Sequence, residues 1–427
     1  MNFSKKNVLL SLVVLSLVNT FSFSQGTRYN PATGTLTNSA GQPTSIQGSA
    51  RPITTAVPFL NIAPDSRAGA MGDAGVATTP DVYSSQWNPA KYAFAQKDYG
   101  LSISYTPWLR KLVDDMSISY LSGYTKLRKE DAVYVSMTYF NLGKIDFTDN
   151  SGNKYLEFNP REYAGTVGYS RILSDNMSVA VGLKFRYSNL AGNFTSPGGG
   201  TESKPAKGFG GDIGLYWNKE FVSGTKNSRF AWGVAITNFG SKISYTNNNR
   251  NDFIPTNLRI GAAYTLELDL YNKLTFTTDA NKLMVPTPPV YYQASNGTDS
   301  TNAGNKVIYK GKDPDRPLFQ GVLGSFTDAP GGIQEELKEI TMSYGMEYLY
   351  ADIFALRVGH FRENVLKGNR KFFTVGLGLK FYEGKAGIDF SYLVAGRQNN
   401  PLEGTLRFSL YMELEKQRGK ETESITE

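Results

Sequence analysis

The sequence predicts an all-β fold: a fourteen-stranded antiparallel transmembrane β-barrel with an N-terminal hatch segment inside or beneath it. Three observations carry this expectation. Residues alternate with period two in fourteen segments after position 98, the connections between those segments alternate long and short, and the chain opens with a secretory leader.

The leader comes first. In "MNFSKKNVLLSLVVLSLVNTFSFSQG", Lys5 and Lys6 precede an apolar run from Val8 to Val18, and small residues follow, so residues 1–24 read as a signal peptide cut after Ser24. A membrane-spanning helix needs about 20 apolar residues, and this run is too short. No Cys follows it, which excludes a lipoprotein anchor; with 0 Cys in the chain, disulfides and thiolate metal sites are excluded as well. The formal charge of +7 becomes +5 when Lys5 and Lys6 leave with the leader. No Lys/Arg run with interleaved aromatics appears, so the reading is a solvated surface and no nucleic-acid partner.

Residues 25–98 form an N-terminal arm and hatch. The stretch "SRAGAMGDAGVATTPDVYSSQWNPA" is rich in Gly and Ala and follows neither helix nor strand period. Such a segment can bring its backbone against a barrel wall, and Asn88-Pro89 marks a fixed turn before the first strand. Because residues 50 to 98 precede strand one, they are expected to start on the periplasmic side, next to the barrel mouth. A loosely ordered periplasmic arm is the competing reading.

The barrel covers 99–413. In "YGLSISYTP", Tyr99, Leu101, Ile103 and Tyr105 share one face while Gly100, Ser102, Ser104 and Thr106 share the other. Comparable segments lie near 99–107, 115–123, 131–140, 161–170, 177–188, 207–218, 229–238, 257–268, 273–282, 339–348, 353–361, 371–381, 386–394 and 404–413. Odd-numbered connections run about 7, 20, 18, 18, 56, 9 and 9 residues, while most even-numbered ones are tight, such as "DLYN", "LYAD" and "YEGK". An up-and-down barrel places odd and even connections at opposite ends, with short periplasmic turns and long external loops. A soluble sandwich has no reason to segregate them. The expected location is therefore the outer membrane of a Gram-negative bacterium, as an integral barrel in contact with outer-membrane lipid.

Inward positions mix signs: Lys184, Arg186, Arg259, Arg357, Lys380 and Arg407 stand among Asp212, Glu267, Asp279, Glu347, Asp389 and Glu413. Such charges either select solutes or pair across the lumen and hold a plug. The long external loop, 283–338, carries apolar patches at Pro286–Tyr292 and Leu318–Phe326, a first sign of a partner. The C-terminal tail, 414–427, reads as a solvated periplasmic end.

Catalysis finds no support in the residue inventory. The single His, His360, sits near a strand end, and serine hydrolysis needs a His base. The acidic pairs Asp313/Asp315 and Asp114/Asp115 lack a calcium-loop pattern, and "SPGGGT" lacks the Lys-Ser/Thr of a phosphate loop. The expectation is no enzyme, no metal and no cofactor.

The run "RAGAMGDAGVATTPDVYSSQWNPA" resembles the hatch signature of FadL-like outer-membrane barrels, carried here by Arg67, Gly72, Ala74, Ala77, Asn88, Pro89 and Ala90. With "AVPFLNIAPDSRAGAMGDAGVAT", "SSQWNPAKYAF" and "YGLSISYTPWLRKL", it is similar to the PorV branch, which serves type IX secretion. The resemblance spans nearly all of the mature chain and weakens in the loops and over 25–49. It implies a non-enzymatic shuttle with three kinds of partner: a giant outer-membrane translocon barrel, secreted proteins bearing a type IX C-terminal signal domain, and a cell-surface attachment complex with a sortase-like peptidase. The apolar external loop accommodates this, and Tyr291, Tyr292, Leu318, Phe319 and Phe326 are the residues expected to contribute partner contacts; packing of these side chains on the barrel's own rim is the competing reading. The wider FadL-like family implies the alternative function, a channel for hydrophobic small molecules.

Overall fold

Alternation decides which way each strand faces. In a membrane barrel the apolar set turns to lipid and the small or polar set turns to the lumen. The computed structural model describes residues 28–30, 35–37, 50–148, 152–192, 202–247, 251–291, 301–302, 305–396 and 400–416. The expected signal peptide and residues 417–427 of the expected tail lie outside the described residues. The chain divides at Arg51/Pro52; before that point Arg28–Asn30 pairs antiparallel with Thr35–Thr37.

Fourteen antiparallel strands close into one barrel. They are β1 (Tyr99–Pro107), β2 (Ser117–Lys126), β3 (Asp131–Asn141), β4 (Arg161–Ser174), β5 (Met177–Asn189), β6 (Ala206–Ser223) and β7 (Lys226–Gly240). The second half is β8 (Asn257–Glu267), β9 (Asn272–Leu283), β10 (Thr341–Tyr350), β11 (Phe354–Arg362), β12 (Lys371–Phe381), β13 (Ala386–Ala395) and β14 (Leu406–Leu414). Each pairs with its neighbour in sequence, and β14 closes on β1 in a register running from Phe408↔Tyr105 to Leu414↔Tyr99.

The faces follow the pattern. Leu101, Ile103 and Tyr105 are exposed on the lipid side, whereas Ser102, Ser104 and Thr106 are buried in the lumen. Tyr163 stacks on Tyr187 at 4.8 Å and Phe185 lies 5.1 Å from Phe209 near the long-connection end. Trp217 and Trp232 stack near the opposite end, so aromatic side chains mark both interfaces.

Some boundaries differ from the sequence expectation. The connection between β6 and β7 shrinks to Gly224-Thr225, because the ladder continues to Ser223↔Lys226. The long connection after β3 holds its own antiparallel pair, Ile145–Thr148 with Lys154–Phe158. Among the described residues, no helix is long and apolar enough to cross a membrane.

The direction of the N-terminal segment is the principal correction. Rather than starting at the periplasmic end, it starts at the end of the long connections, where the Ala56 amide donates to the Phe253 carbonyl in the connection after β7. Ala56, Val57, Phe59 and Leu60 pack there with Ile118, Phe140, Ile243 and Ile254. From that point the chain descends through the lumen to the short-turn end, where the Asp98 amide donates to Leu414 and β1 begins. Burial of this apolar run among the outer strand ends fixes the direction; its order in the chain does not.

Candidate functional site: the plugged lumen and the outer cap

The plug is built from short pieces because its Gly, Ala and Pro residues support no long helix. Helix α1 (Ser66–Ala70) is capped by Asp65, whose carboxylate accepts from the Ala68 amide at 2.8 Å and from the Trp87 indole at 2.7 Å. Helix α2 (Ser84–Trp87) leads to Asn88, which caps a 3₁₀ turn over Pro89–Phe94 by accepting from the Ala90 amide.

Wall and plug meet backbone to backbone. Gly72, at φ 69°, turns the chain in the left-handed region that favours glycine. A Cβ on wall residue Gly359 would stand 2.0 Å from the Gly72 nitrogen, so neither position has room for a side chain. The Gly72 amide donates to the Thr374 hydroxyl of β12, which donates on to the Ala70 carbonyl. Amides of Gly75 and Val76 both donate to the Asp279 carboxylate of β9, at 2.7 and 3.0 Å. The Asn88 amide group donates to the Leu215 carbonyl of β6 at 2.9 Å, and Ser170 and Ser178 donate to the Ala90 carbonyl.

Arg67 is the electrostatic centre. Its guanidinium reaches Glu347 of β10 at 2.9 and 3.1 Å and Asp81 of the plug at 2.8 Å. Glu347 is shared with Arg357 of β11, which also holds Asp389 of β13. Burial pushes the Asp81 carboxyl up, but Lys91 and Arg67 outweigh that and hold it below the usual carboxylate range. Burial, with the Asp81 charge beside it, pushes Asp65 up to about 6 although the Ala68 amide and the Trp87 indole donate to it. Of the lumenal charges, Glu347, Arg357 and Asp389 therefore pair across strands and, through Arg67, hold the plug, one of the two roles left open by the sequence.

All seven signature residues come together here: Ala74, Ala77, Asn88 and Ala90 are fully or nearly fully buried, with Arg67, Gly72 and Pro89 beside them. Sequence reading missed Asp65, Trp87 and Lys91. Lys91 is buried with its ammonium on the Gly75 carbonyl and the Thr78 hydroxyl. The signal available was their position inside the same Gly/Ala-rich run. His360 points to the lipid side of β11, against Phe373, and takes no part in the lumenal network.

Beneath the plug, a polar vestibule of about 930 Å³ opens at the short-turn end, lined by Arg67, Asp81, Glu347, Arg357, Asp389 and Glu413 among others. Above it, the connection between β9 and β10 folds into a cap with helices α3 (Leu318–Gly324) and α4 (Ile333–Lys338). α4 is inverted for a surface helix: Glu335 and Glu336 are buried while Ile333 and Leu337 are 75% and 63% exposed. The acids are buried because they bind bases from the barrel end. Lys282 meets Glu336 and Glu339 at 2.9 and 2.6 Å, and Lys367 meets Glu335 and Glu339 at 2.7 and 2.9 Å.

The expected partner residues divide. Phe319 is exposed, with its ring 5.6 Å from Phe239, and Phe326 is partly exposed with the Lys282 ammonium over its ring. Leu318 and Tyr291 are half-buried, and Tyr292 lies outside the described residues. Leu323, Ile333 and Leu337 are exposed apolar residues that the sequence reading did not name; the i, i+4 pairs Phe319/Leu323 and Ile333/Leu337 were the usable signal.

The family model described as type IX secretion system protein PorV matches residues 45–290, which include the whole plug and β1 to β9. The chain belongs to the PorV family. It is an integral outer-membrane β-barrel and an outer-membrane component of the type IX secretion system. No curated protein matches the chain. Among solved structures, this PorV-family chain is similar to the Pseudomonas putida toluene transporter TodX, at 10% identity and TM-score 0.47, covering 83% of this chain and 99% of that one. It is also similar to the Ralstonia pickettii toluene transporter TbuX, at 12% identity and TM-score 0.43, covering 84% and 99%. A Pseudomonas aeruginosa FadL homologue is similar at 11% identity and TM-score 0.38, covering 85% and 99%.

Proposed function

We propose that this PorV-family barrel is a non-enzymatic shuttle. It binds the giant translocon barrel, receives secreted proteins through their C-terminal signal domain, and delivers them to the cell-surface attachment complex. The observation that supports this reading best is the combination of a lumen occupied by a charge-locked plug with an outer cap whose apolar side chains face outward. A hydrophobic-solute channel needs an apolar path, and the vestibule below the plug is lined by ion-paired Arg67, Glu347, Arg357 and Asp389. Large exposed apolar side chains on a folded, ion-anchored cap suit protein contact instead.

Mild-detergent purification of a chromosomally tagged copy, followed by mass spectrometry, tests it. Co-purification of a very large outer-membrane barrel and of secreted proteins sharing a C-terminal domain is the expected result. Recovery of the barrel alone with bound fatty acids or lipids would overturn the shuttle in favour of the hydrophobic-solute channel.

A further inference from the structure

A second chamber, of about 290 Å³, lies above the plug at the outer end, between the descending segment, β8, β9 and the cap. Arg259 of β8 lines it, 4% exposed, with its guanidinium carbon 4.9 Å from the Trp87 ring. Among the described residues Arg259 makes no hydrogen bond and no ion pair, and its Nε is buried without an acceptor. Asn257 and Asn281, both over nine-tenths buried, line the same chamber with side-chain oxygens that have no donor, and Asn61 adds a third.

Most other charges of the chamber have partners, although the Asp73 Oδ1 accepts no hydrogen bond. Glu339 holds Lys282 and Lys367, Glu363 holds Arg370, and Asp73 stands 3.7 Å from Arg407. The carboxylates of Asp279, Asp73 and Asp212 act on Arg259 through space, but none reaches it as a hydrogen-bonded partner; a buried guanidinium left this way is costly, and buried polar groups of this kind normally have a partner.

We propose that this chamber binds a small monocarboxylate bearing an adjacent hydrogen-bond donor, an amino or hydroxy acid. The carboxylate pairs with the Arg259 guanidinium, and the neighbouring N–H or O–H donates to the Asn257, Asn281 and Asn61 oxygens. One negative charge is favoured over a phosphate's two because Asp73, Glu339 and Glu363 line the same space. The volume sits at the small end for ligand pockets and suits a compact molecule rather than an acyl chain. Exposed Pro52, Pro58 and Gly368 at the rim give access from outside. This site is separate from the apolar cap surface and stands or falls independently of the shuttle reading.

The test is calorimetric titration of the detergent-purified full chain with L-serine and L-lactate, against serinamide, inorganic phosphate and palmitate. Tryptophan fluorescence is followed in parallel, and a Trp87→Phe variant assigns the signal of the residue that Arg259 covers. Expected are saturable serine or lactate binding with a Trp87 signal, at least tenfold weaker binding of serinamide, in which an uncharged amide replaces the carboxylate, and at least tenfold loss in Arg259→Gln. Arg259→Lys should recover part of the loss, and heat-modifiable gel migration verifies that each variant is folded. Equal binding of serine and serinamide, unchanged binding in a folded Arg259→Gln, preference for phosphate or palmitate, or no binding of any probe, as for a chamber holding water only, would each overturn the proposal.

Discussion

Replacing Glu347 by glutamine removes the carboxylate that joins Arg67 of the plug to Arg357 of the wall while preserving its shape. Glu347 accepts from Arg67 at 2.9 and 3.1 Å and from Arg357 at 2.6 Å, and all three side chains are largely buried. After the substitution Arg67 keeps Asp81 and Arg357 keeps Asp389, so neither base is fully orphaned, but two guanidinium groups face one neutral amide. Breaking a buried pair from one side costs about 3–5 kcal/mol. At tenfold per 1.4 kcal/mol, that is roughly two to three and a half decades in the equilibrium holding the plug seated. The assay is guanidinium denaturation in detergent micelles, followed by tryptophan fluorescence and paired with conductance in a planar bilayer. Glu347→Gln should lower the midpoint and add intermittent conductance. Glu267→Gln serves as the control: its partner Lys273 stands at 3.7 Å and both side chains are about a third exposed, so the change should stay within about 0.5 kcal/mol. If Glu347→Gln kept both the parental midpoint and a closed lumen, the claim that this charge lattice holds the plug would be refuted.

Other positions report on other parts of the argument. Gly359→Val forces a side chain into the Gly72 backbone and should destabilise the barrel by about 1–3 kcal/mol or more, read as a lower temperature for loss of heat-modifiable migration. Lys367→Met leaves Glu335 and Glu339 short of a counter-charge at the cap base; protease added to intact cells should then cut within 284–340 far faster than in the parent while β1 to β14 stay protected. Ile333→Asp with Leu337→Asp alters only exposed positions, so stability should change by no more than about 0.5 kcal/mol per site, whereas recovery of the translocon barrel on the tagged protein should fall at least severalfold. Unchanged recovery would remove the cap from the proposed contact.

Legibility followed from whether a feature is local. Leu101, Ile103, Val181 and Leu183 face lipid because strand geometry repeats every two residues, so the pattern in the chain is the pattern on the wall. The segregation of long and short connections was equally plain, since each is set by neighbouring strands alone. The direction of the plug was not. It depends on Phe59 and Leu60 meeting Phe140 and Ile254, contacts separated by tens to hundreds of positions that leave no period behind. Pairing inside the lumen was hidden for the same reason: Arg67 and Glu347 lie 280 positions apart. The inverted face of α4 escaped because Glu335 and Glu336 resemble ordinary surface acids until Lys282 and Lys367 are seen beneath them.

The plug runs lengthwise through a cylinder whose seam is the pairing of β14 with β1, and its last residues lead straight into β1. It hydrogen-bonds to β4, β6, β9, β12 and, through Ser409, β14. Those bonds reach strands from both halves of the sheet, so the core ties opposite sides of the cylinder together from within. The plug is therefore an internal brace as much as a stopper: a wall emptied of it would lose its cross-ties between strands that are not neighbours in the sheet.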